Sequence, residues 1–345
     1  MDEIFAFLGS YLDVGQTALE LAMFNGLTVL ALFLSYSMLN VCDLSTDGCY
    51  TLGAAVGVVT VIELPKLFLG LAEANPDAAG FYNAMASASP YLSIVLAMLA
   101  GMVSGLVVAV LQTRMGVQSL LAGIVVNTGL YSINLIITGN RSTVAIMRKT
   151  DTVFTLMKDG VKDTFLAEQY KLAVGVIAVV LVAVFLILFM RTKLGLAIHA
   201  TGSNADMVRS SSINPAFTTT IGLMISNSFT ALSGCLFAQQ AKSFDISTGS
   251  GMVTVALASL LIGGVFTARR SVWVRVIGAI VGTFIFRLVY AIALKMNMPA
   301  YMLKAVSAII VVLAISGPYL VKQLKLLRRR AAANRERGEA YADPQ

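Results

Sequence analysis

The chain carries a few ionisable and amide side chains within or beside long apolar runs. A charge is costly to bury in hydrocarbon, so each of these residues is a candidate for solute contact, ion pairing or bonding between helices. For the asparagines, the alternative to solute contact is a hydrogen bond between two helices. The candidates for a translocation pathway are Asp43, Asp47, Glu63, Asn127, Asn227 and Arg287.

Two of these candidates are expected at similar depth in the membrane. Glu63 lies about thirteen residues into its apolar run and Arg287 about twelve, which is roughly 20 Å at the helical rise of 1.5 Å per residue. The spacing predicts that the two side chains pair or both face a cavity. Alternatively, Glu63 precedes Pro65 by two residues and marks the end of a short span.

No motif for catalysis by this chain is present. The sequence has no GxxxxGK[ST] loop for ATP, no HExxH and no GxSxG, and its single histidine, His199, cannot supply a histidine metal cluster. We therefore expect no enzyme activity, metal or cofactor in the chain itself. The segment between Cys42 and Cys49 lacks metal-ligand spacing, so the cysteines are buried small residues or, alternatively, a disulfide.

A polar segment interrupts two apolar runs at residues 191–215, with the sequence RTKLGLAIHATGSNADMVRSSSINP. Ser203 and Asp206 have capping-box spacing, which predicts a short helix beginning there. Asn214 and Pro215 predict the cap and first residue of the following span. The segment therefore predicts a short helix lying at the membrane surface.

The elements that position these residues are predicted to be membrane helices. Apolar residues make up 57% of the chain and charged residues 12%, and the apolar runs are too long for barrel strands. We predict an all-α polytopic membrane protein with a transmembrane domain at 1–321 and a basic tail at 322–345. About nine spans are expected, at 18–39, 50–71, 89–111, 117–138, 170–190, 216–239, 250–268, 275–294 and 300–321.

Two of these spans are expected to be broken and to line a cavity. The second is short and rich in glycine, and the seventh contains Gly249, Gly251, Gly263 and Gly264. Close helix packing is expected at three GxxxG motifs, because small residues let two backbones approach. These motifs are Gly53/Gly57, Gly101/Gly105 and Gly278/Gly282.

The distribution of positive charge predicts the orientation. The net charge is +7, and nine spans place the basic residues of the tail, the polar segment and two short loops on one side, which should be the cytoplasm. The acidic N-terminus then lies outside, as does the 139–169 loop despite its mixed charge. We expect a multi-pass protein of the bacterial plasma membrane with a cytoplasmic C-terminus, lipid contacts and no nucleic-acid partner.

Several stretches resemble ABC importer permeases of the branched-chain amino acid and monosaccharide type. The segment GLAIHATGSNADMVRSSSI is similar to their cytoplasmic coupling segment, with His199 where arginine is usual and Ser212 where glycine is usual. LNVCDLSTDGCYTLGAAVG (39–57) resembles their first broken segment. Residues 120–139 and 231–264 look like the subgroup of tryptophan/tyrosine uptake permeases.

The resemblance implies a permease subunit that imports a small polar solute, such as an amino acid. It implies cytoplasmic ATP-binding subunits that bind the ATP, a second permease copy or homologue, and an extracytoplasmic solute-binding protein. An ion-gradient-driven secondary transporter is the alternative. The residues expected to couple to the ATPase are Gly195, His199, Ala200, Gly202, Ser203, Asn204, Asp206, Arg209, Ser212 and Ile213.

Overall fold

The structure, a computed structural model, describes residues 2–147, 150–160, 169–267 and 271–295 and scattered positions between 302 and 326. In the first half of the chain the helices are α1 (Asp2–Leu32), α2 (Thr46–Ala74), α3 (Ala79–Ser87), α4 (Ser89–Thr113), α5 (Ser119–Ile137) and α6 (Val153–Gly160). In the second half they are α7 (Tyr170–Arg191), α8 (Lys193–Ser203), α9 (Ala205–Ser210), α10 (Pro215–Ala241), α11 (Met252–Thr267) and α12 (Val272–Lys295). Two short strands, β1 (Thr143–Ala145) and β2 (Ser243–Asp245), pair antiparallel.

Seven helices in the described part of the chain are long and apolar enough to cross a membrane. They correspond to seven of the nine predicted spans, which confirms an all-α multi-pass membrane fold. The predicted span at 250–268 is a shorter helix, α11, and the one at 300–321 falls mainly outside the described residues, as does the tail at 322–345. The seven spans are Ala18–Met38, Thr46–Ala74, Ser89–Thr113, Ser119–Ile137, Tyr170–Arg191, Pro215–Ala241 and Val272–Ala293.

Helix α10 is the centre of the bundle and packs along α1, α2 and α4. Glycines let these helices approach at backbone distance, as the GxxxG motifs predict. A Cβ at Gly53 would overlap the carbonyl of Ala231, and one at Gly101 would overlap that of Asn227. The third motif joins α12 to α11, since Gly282 lies against the carbonyl of Ser259. All three predicted motifs are confirmed as packing contacts.

The first break in the helices lies between α1 and α2, not within the second span. A π-helical turn at Phe33–Met38 ends the first span, and residues 39–45 form a non-helical turn. Helix α2 then runs without interruption for 29 residues, through Pro65. The expectation of a short, broken second span was therefore wrong, because neighbouring protein can accommodate a proline in a membrane helix.

The second break precedes α11. After α10 the chain forms β2 and then a series of turns at 246–251, which include Gly249 and Gly251. Gly263 and Gly264 are helical, contrary to expectation, and Gly263 serves the close packing of α11 on α12. The break predicted in this span is thus confined to its N-terminal side.

The described basic residues of the turn after α4, of the polar segment and of the start of α12 lie at one end of the bundle. Helix α4 runs antiparallel to α10, since Gly101 lies against Asn227 and Gly105 against Leu223. This places the end of α4 beside the start of α10. Arg275, near the start of α12, donates a hydrogen bond to Ser37 at 2.6 Å, which places the end of the first span at this same level.

Candidate functional site

A polar cleft of about 490 Å³ opens between α2, α5 and the turns that precede α11. Eight of its ten described lining residues carry a hydroxyl, amide or carboxylate group, although the helices that build it are apolar elsewhere. Polar surface within a membrane bundle is expected where the chain faces water or solute. The lining residues are Asp47, Gly48, Thr51, Asn127, Thr128, Tyr131, Asn134, Ile246, Ser247 and Ser250.

Asp47 joins the two broken elements at this cleft. It lies in the first turn of α2, and its carboxylate accepts hydrogen bonds from the backbone N–H groups of Gly251 at 2.9 Å and Val253 at 2.7 Å. These N–H groups at the start of α11 have no helical carbonyl partner, and a negative charge there complements the helix dipole. Asp47 therefore fixes the start of α11 against α2.

Two asparagines of α5 face α2 across the cleft. Asn134 donates from Nδ2 to the carbonyl of Gly48 at 3.3 Å, and its Oδ1 has no hydrogen-bond partner among the described residues. A Cβ at Gly48 would lie 2.6 Å from Oδ1 of Asn127. Position 48 must therefore lack a side chain for α5 to pack this closely on α2.

Asp43 and Asn227 lie elsewhere, in contact with each other. The Asp43 carboxylate accepts from Nδ2 of Asn227 at 2.8 Å and from the N–H of Ser45 at 2.8 Å. Both side chains are almost fully buried. They connect the turn at 39–45 to the middle of α10. At the helical rise per residue, Asn227 lies about 18 Å from the start of α10. This turn therefore folds back into the bundle.

The predicted pairing of Glu63 with Arg287 is wrong. Glu63 forms a salt bridge with Lys66 at 2.9 Å, one helical turn away, and its side chain is 61% exposed. The guanidinium of Arg287 stacks on the ring of Tyr290, 5.4 Å from its centroid. The two residues do not meet, because α2 begins beside Asn227 in the middle of α10 and not at the membrane surface from which the depth of Glu63 was counted. Of the six pathway candidates, the cleft lining contains Asp47 and Asn127.

The polar segment forms two short helices. Thr192 caps α8, and Asn204 caps α9 by accepting from the N–H groups of Asp206 at 3.1 Å and Met207 at 3.0 Å. The predicted helix start is confirmed, but the cap is Asn204 rather than Ser203, which ends α8. Asn214 and Pro215 begin α10 as predicted, with Asn214 accepting from the N–H of Ala216.

Helix α8 is docked on the bundle through its small residues. The backbone of Gly202 lies against the carbonyl of Met38, so a side chain at 202 would collide with the end of the first span. Thr201 and Thr218 share a hydrogen bond of 2.8 Å between α8 and α10. Gly195 and Ile198 are buried. These contacts fix α8 to both α1 and α10.

The other candidate coupling residues form an exposed surface around α9. Ser212 has a φ of 62°, a conformation that glycine adopts at no cost, which is the physical reason for a glycine at this position in similar segments. Ala200 and Gly202 are half-buried on α8. The exposed members are His199, Ser203, Asn204, Asp206, Arg209, Ser212 and Ile213.

Several cleft residues were not among the predicted pathway residues. On α5, Thr128, Tyr131 and Asn134 follow the predicted Asn127 at positions i+1, i+4 and i+7. A polar stripe of this kind on an apolar helix is the signal that identifies them. Ser247 and Ser250 lie in a turn, where serine is common and carries no such signal.

All three cysteines, Cys42, Cys49 and Cys235, are free, so the alternative of a disulfide is not found.

Residues 16–315 match the family model described as "Branched-chain amino acid transport system / permease component". The chain is 28% identical to a tyrosine transport system permease protein of Clostridioides difficile, over 86% of this chain and 88% of that protein. It is 29% identical to an uncharacterized protein of Rickettsia prowazekii, over 72% and 75%. A shorter match, 26% identical over 37% of each chain, is to an autoinducer 2 import system permease protein of Escherichia coli. No solved structure matches the chain significantly.

Proposed function

Because the chain belongs to the family of branched-chain amino acid transport system permease components, we propose that solute crosses this ABC importer subunit along the polar cleft beside Asp47. The cleft itself is the observation that supports the proposal. It is a cavity of about 490 Å³ lined mainly by polar residues, within the usual size range of small-molecule sites, whereas two cavities beside α4 are lined mainly by apolar side chains.

The solute class we propose is a small polar compound of the amino acid type. The tyrosine transport permease of C. difficile aligns with most of this chain, whereas the autoinducer 2 permease aligns with about a third of it. Hydroxyl and amide groups around a single carboxylate suit a solute with several hydrogen-bonding groups. Of the predicted pathway residues, Asp47 and Asn127 have this role in our proposal.

We assign the segment at 191–215 to coupling with the cytoplasmic ATP-binding subunits. Its exposed helix α9 offers a surface for a partner, and α8 connects that surface to α1 and α10 through Gly202 and Thr201. In this proposal the basic end of the bundle and the C-terminus are cytoplasmic. ATP binds to the partner subunits, consistent with the lack of a GxxxxGK[ST] loop here.

The remaining partners in the proposal complete an importer. A second permease copy or homologue closes the pathway, and an extracytoplasmic solute-binding protein delivers solute to it. Membrane lipid covers the apolar outer faces of α4 and α7, where large side chains such as Leu99, Val103, Leu181 and Leu188 are exposed. The chain resides in the bacterial plasma membrane.

The pathway is tested by blocking the cleft. Ser250 is exposed in the cleft wall, so Ser250→Cys in a Cys42→Ser background gives a thiol that N-ethylmaleimide can alkylate. We expect alkylation to abolish ATP-driven tyrosine uptake by the assembled transporter. Ser87→Cys, exposed at the end of α3 and outside the cleft, is the matched control and should keep its uptake. Full uptake by the alkylated Ser250→Cys transporter would refute the pathway.

Coupling is tested at the contact between α8 and the first span. Gly202→Leu places a side chain against the Met38 carbonyl and should displace α8, which lowers uptake while the complex still hydrolyses ATP and inserts in the membrane. Gly70→Leu, on α2 with open space around it and outside the coupling segment, is the control and should retain coupling. Normal uptake by Gly202→Leu would contradict the coupling assignment. Uptake that persists with an inactivated ATPase would instead support a gradient-driven transporter.

A further inference from the structure

We propose that the cleft contains a subsite for a protonated amine, formed by the carboxylate of Asp47 and Oδ1 of Asn134. The inference rests on the proposed function of the cleft and adds the chemical group that the cleft recognises. A solute or analogue carrying an ammonium group would bind there, and an equivalent molecule carrying a carboxylate in its place would not.

The first observation is the unused acceptor of Asn134. The side chain is 1% exposed and lines the cleft, yet its Oδ1 accepts no hydrogen bond from the described residues. The orientation of the amide is set by its Nδ2, which donates to the carbonyl of Gly48. Exchanging the two atoms would place oxygen against oxygen, so the free atom is the oxygen. A buried acceptor without a donor is costly, and a bound donor removes this cost.

The second observation is the remaining capacity of Asp47. A carboxylate has about four acceptor positions, and the N–H groups of Gly251 and Val253 occupy one on each oxygen. The side chain also carries the only charge among the described residues of the cleft lining. Asp47 can therefore hold the start of α11 and accept from an ammonium group at the same time.

The third observation is an exposed aromatic ring in the same cleft. Tyr131 lines the same cleft with 52% of its surface exposed, which leaves its ring available to a solute. An aromatic face stabilises a nearby cation and also packs on an apolar or aromatic solute group. Together, two acceptors and an aromatic ring in the same cleft match a molecule with an ammonium group and an apolar body.

The test compares three phenols that differ in one terminal group. They are tyramine, which carries an ammonium group, 4-ethylphenol, which is neutral, and 3-(4-hydroxyphenyl)propionate, which carries a carboxylate. The readout is the rate at which N-ethylmaleimide alkylates the Ser250→Cys, Cys42→Ser full-length chain in nanodiscs. We expect tyramine to slow alkylation at concentrations where the other two compounds have no effect.

Two substitutions assign the protection to the proposed acceptors. Asn134→Leu removes the free oxygen and should raise the tyramine concentration for half protection by about tenfold, the effect of one hydrogen bond to a charged group. Asp47→Asn should raise it at least as much. Thr113→Val, on α4 and outside the cleft, removes a hydroxyl that bonds the carbonyl of Ala109 and should change it by less than about twofold.

Three results would overturn the subsite: no protection by tyramine, equal protection by the carboxylate compound, or unchanged protection in Asn134→Leu. None of them affects the pathway experiment, since blocked uptake by alkylated Ser250→Cys depends only on the position of the thiol. The subsite can therefore fail while the cleft remains the pathway.

Discussion

Exchanging Asp43 and Asn227 should restore a contact that either single change destroys. In the native protein the two oxygens of Asp43 accept from Ser45 and Asn227 at 2.8 Å each, within a buried site. In Asp43→Asn one oxygen must serve both donors, and the new NH₂ group faces the other donor. The loss of one charge-assisted bond and an unsatisfied buried donor together cost about 2–4 kcal/mol.

The opposite single change fails for a different reason. Asn227→Asp places two carboxylates within hydrogen-bond distance, where they cannot both ionise. In the double variant the amide at 43 accepts from Ser45 with its oxygen and donates with its nitrogen to the carboxylate at 227. The pair is then reversed, and although the carboxylate at 227 has one donor where Asp43 has two, we expect the double variant to be more stable than either single variant.

The assay is thermal unfolding of the purified protein in detergent, at one scan rate because membrane proteins unfold irreversibly. At about 2 °C per kcal/mol for a chain of this size, each single variant should lose about 4–8 °C, and the double variant should recover part of it. A double variant no more stable than the weaker single variant would refute this account of the contact.

The remaining predictions concern packing, capping and charge. Gly53→Leu should prevent folding because the side chain meets a backbone carbonyl of α10, whereas Gly70→Leu, with open space around it, should fold; yields of monodisperse protein compare them. Asn204→Ala removes the cap of α9 and should cost about 1 kcal/mol of helix stability, seen as faster amide hydrogen exchange in α9, while Ser203→Ala should leave exchange unchanged. Glu63→Gln should alter the melting temperature by less than about 2 °C, because an exposed pair contributes little, and a larger loss would mean that Glu63 has a further partner.

The membrane helices were predictable because hydropathy over about twenty residues depends on composition alone. The start of α9 and the Asn214–Pro215 boundary were predictable because capping is local. The cap itself was misassigned by one residue, since Ser203 and Asn204 are both good caps and the choice depends on how far α8 extends.

The contacts of the polar residues were not predictable in the same way. Depth along a helix follows from residue counting, but the face toward which a side chain points depends on which helices are neighbours. Glu63 and Arg287 were matched by counting residues from the ends of their spans, and they do not meet because α2 begins in the middle of the bundle. The contacts of Asp47 with residues 251 and 253 join segments about 200 residues apart. No spacing rule within the sequence connects such segments.

The docking of α8 constrains how the protein can move. Gly202 contacts the end of the first span, and Thr201 shares a hydrogen bond with α10. We therefore expect α8 to move together with the central bundle. A push on α8 would then turn α1, α2, α4 and α10 together as a rigid body, since glycines hold α2, α4 and α10 at backbone contact and the hydroxyls of Ser226 and Ser233 donate to carbonyls of α1. In the transporter that we propose, the hinge for alternating access would therefore lie outside this group of four helices.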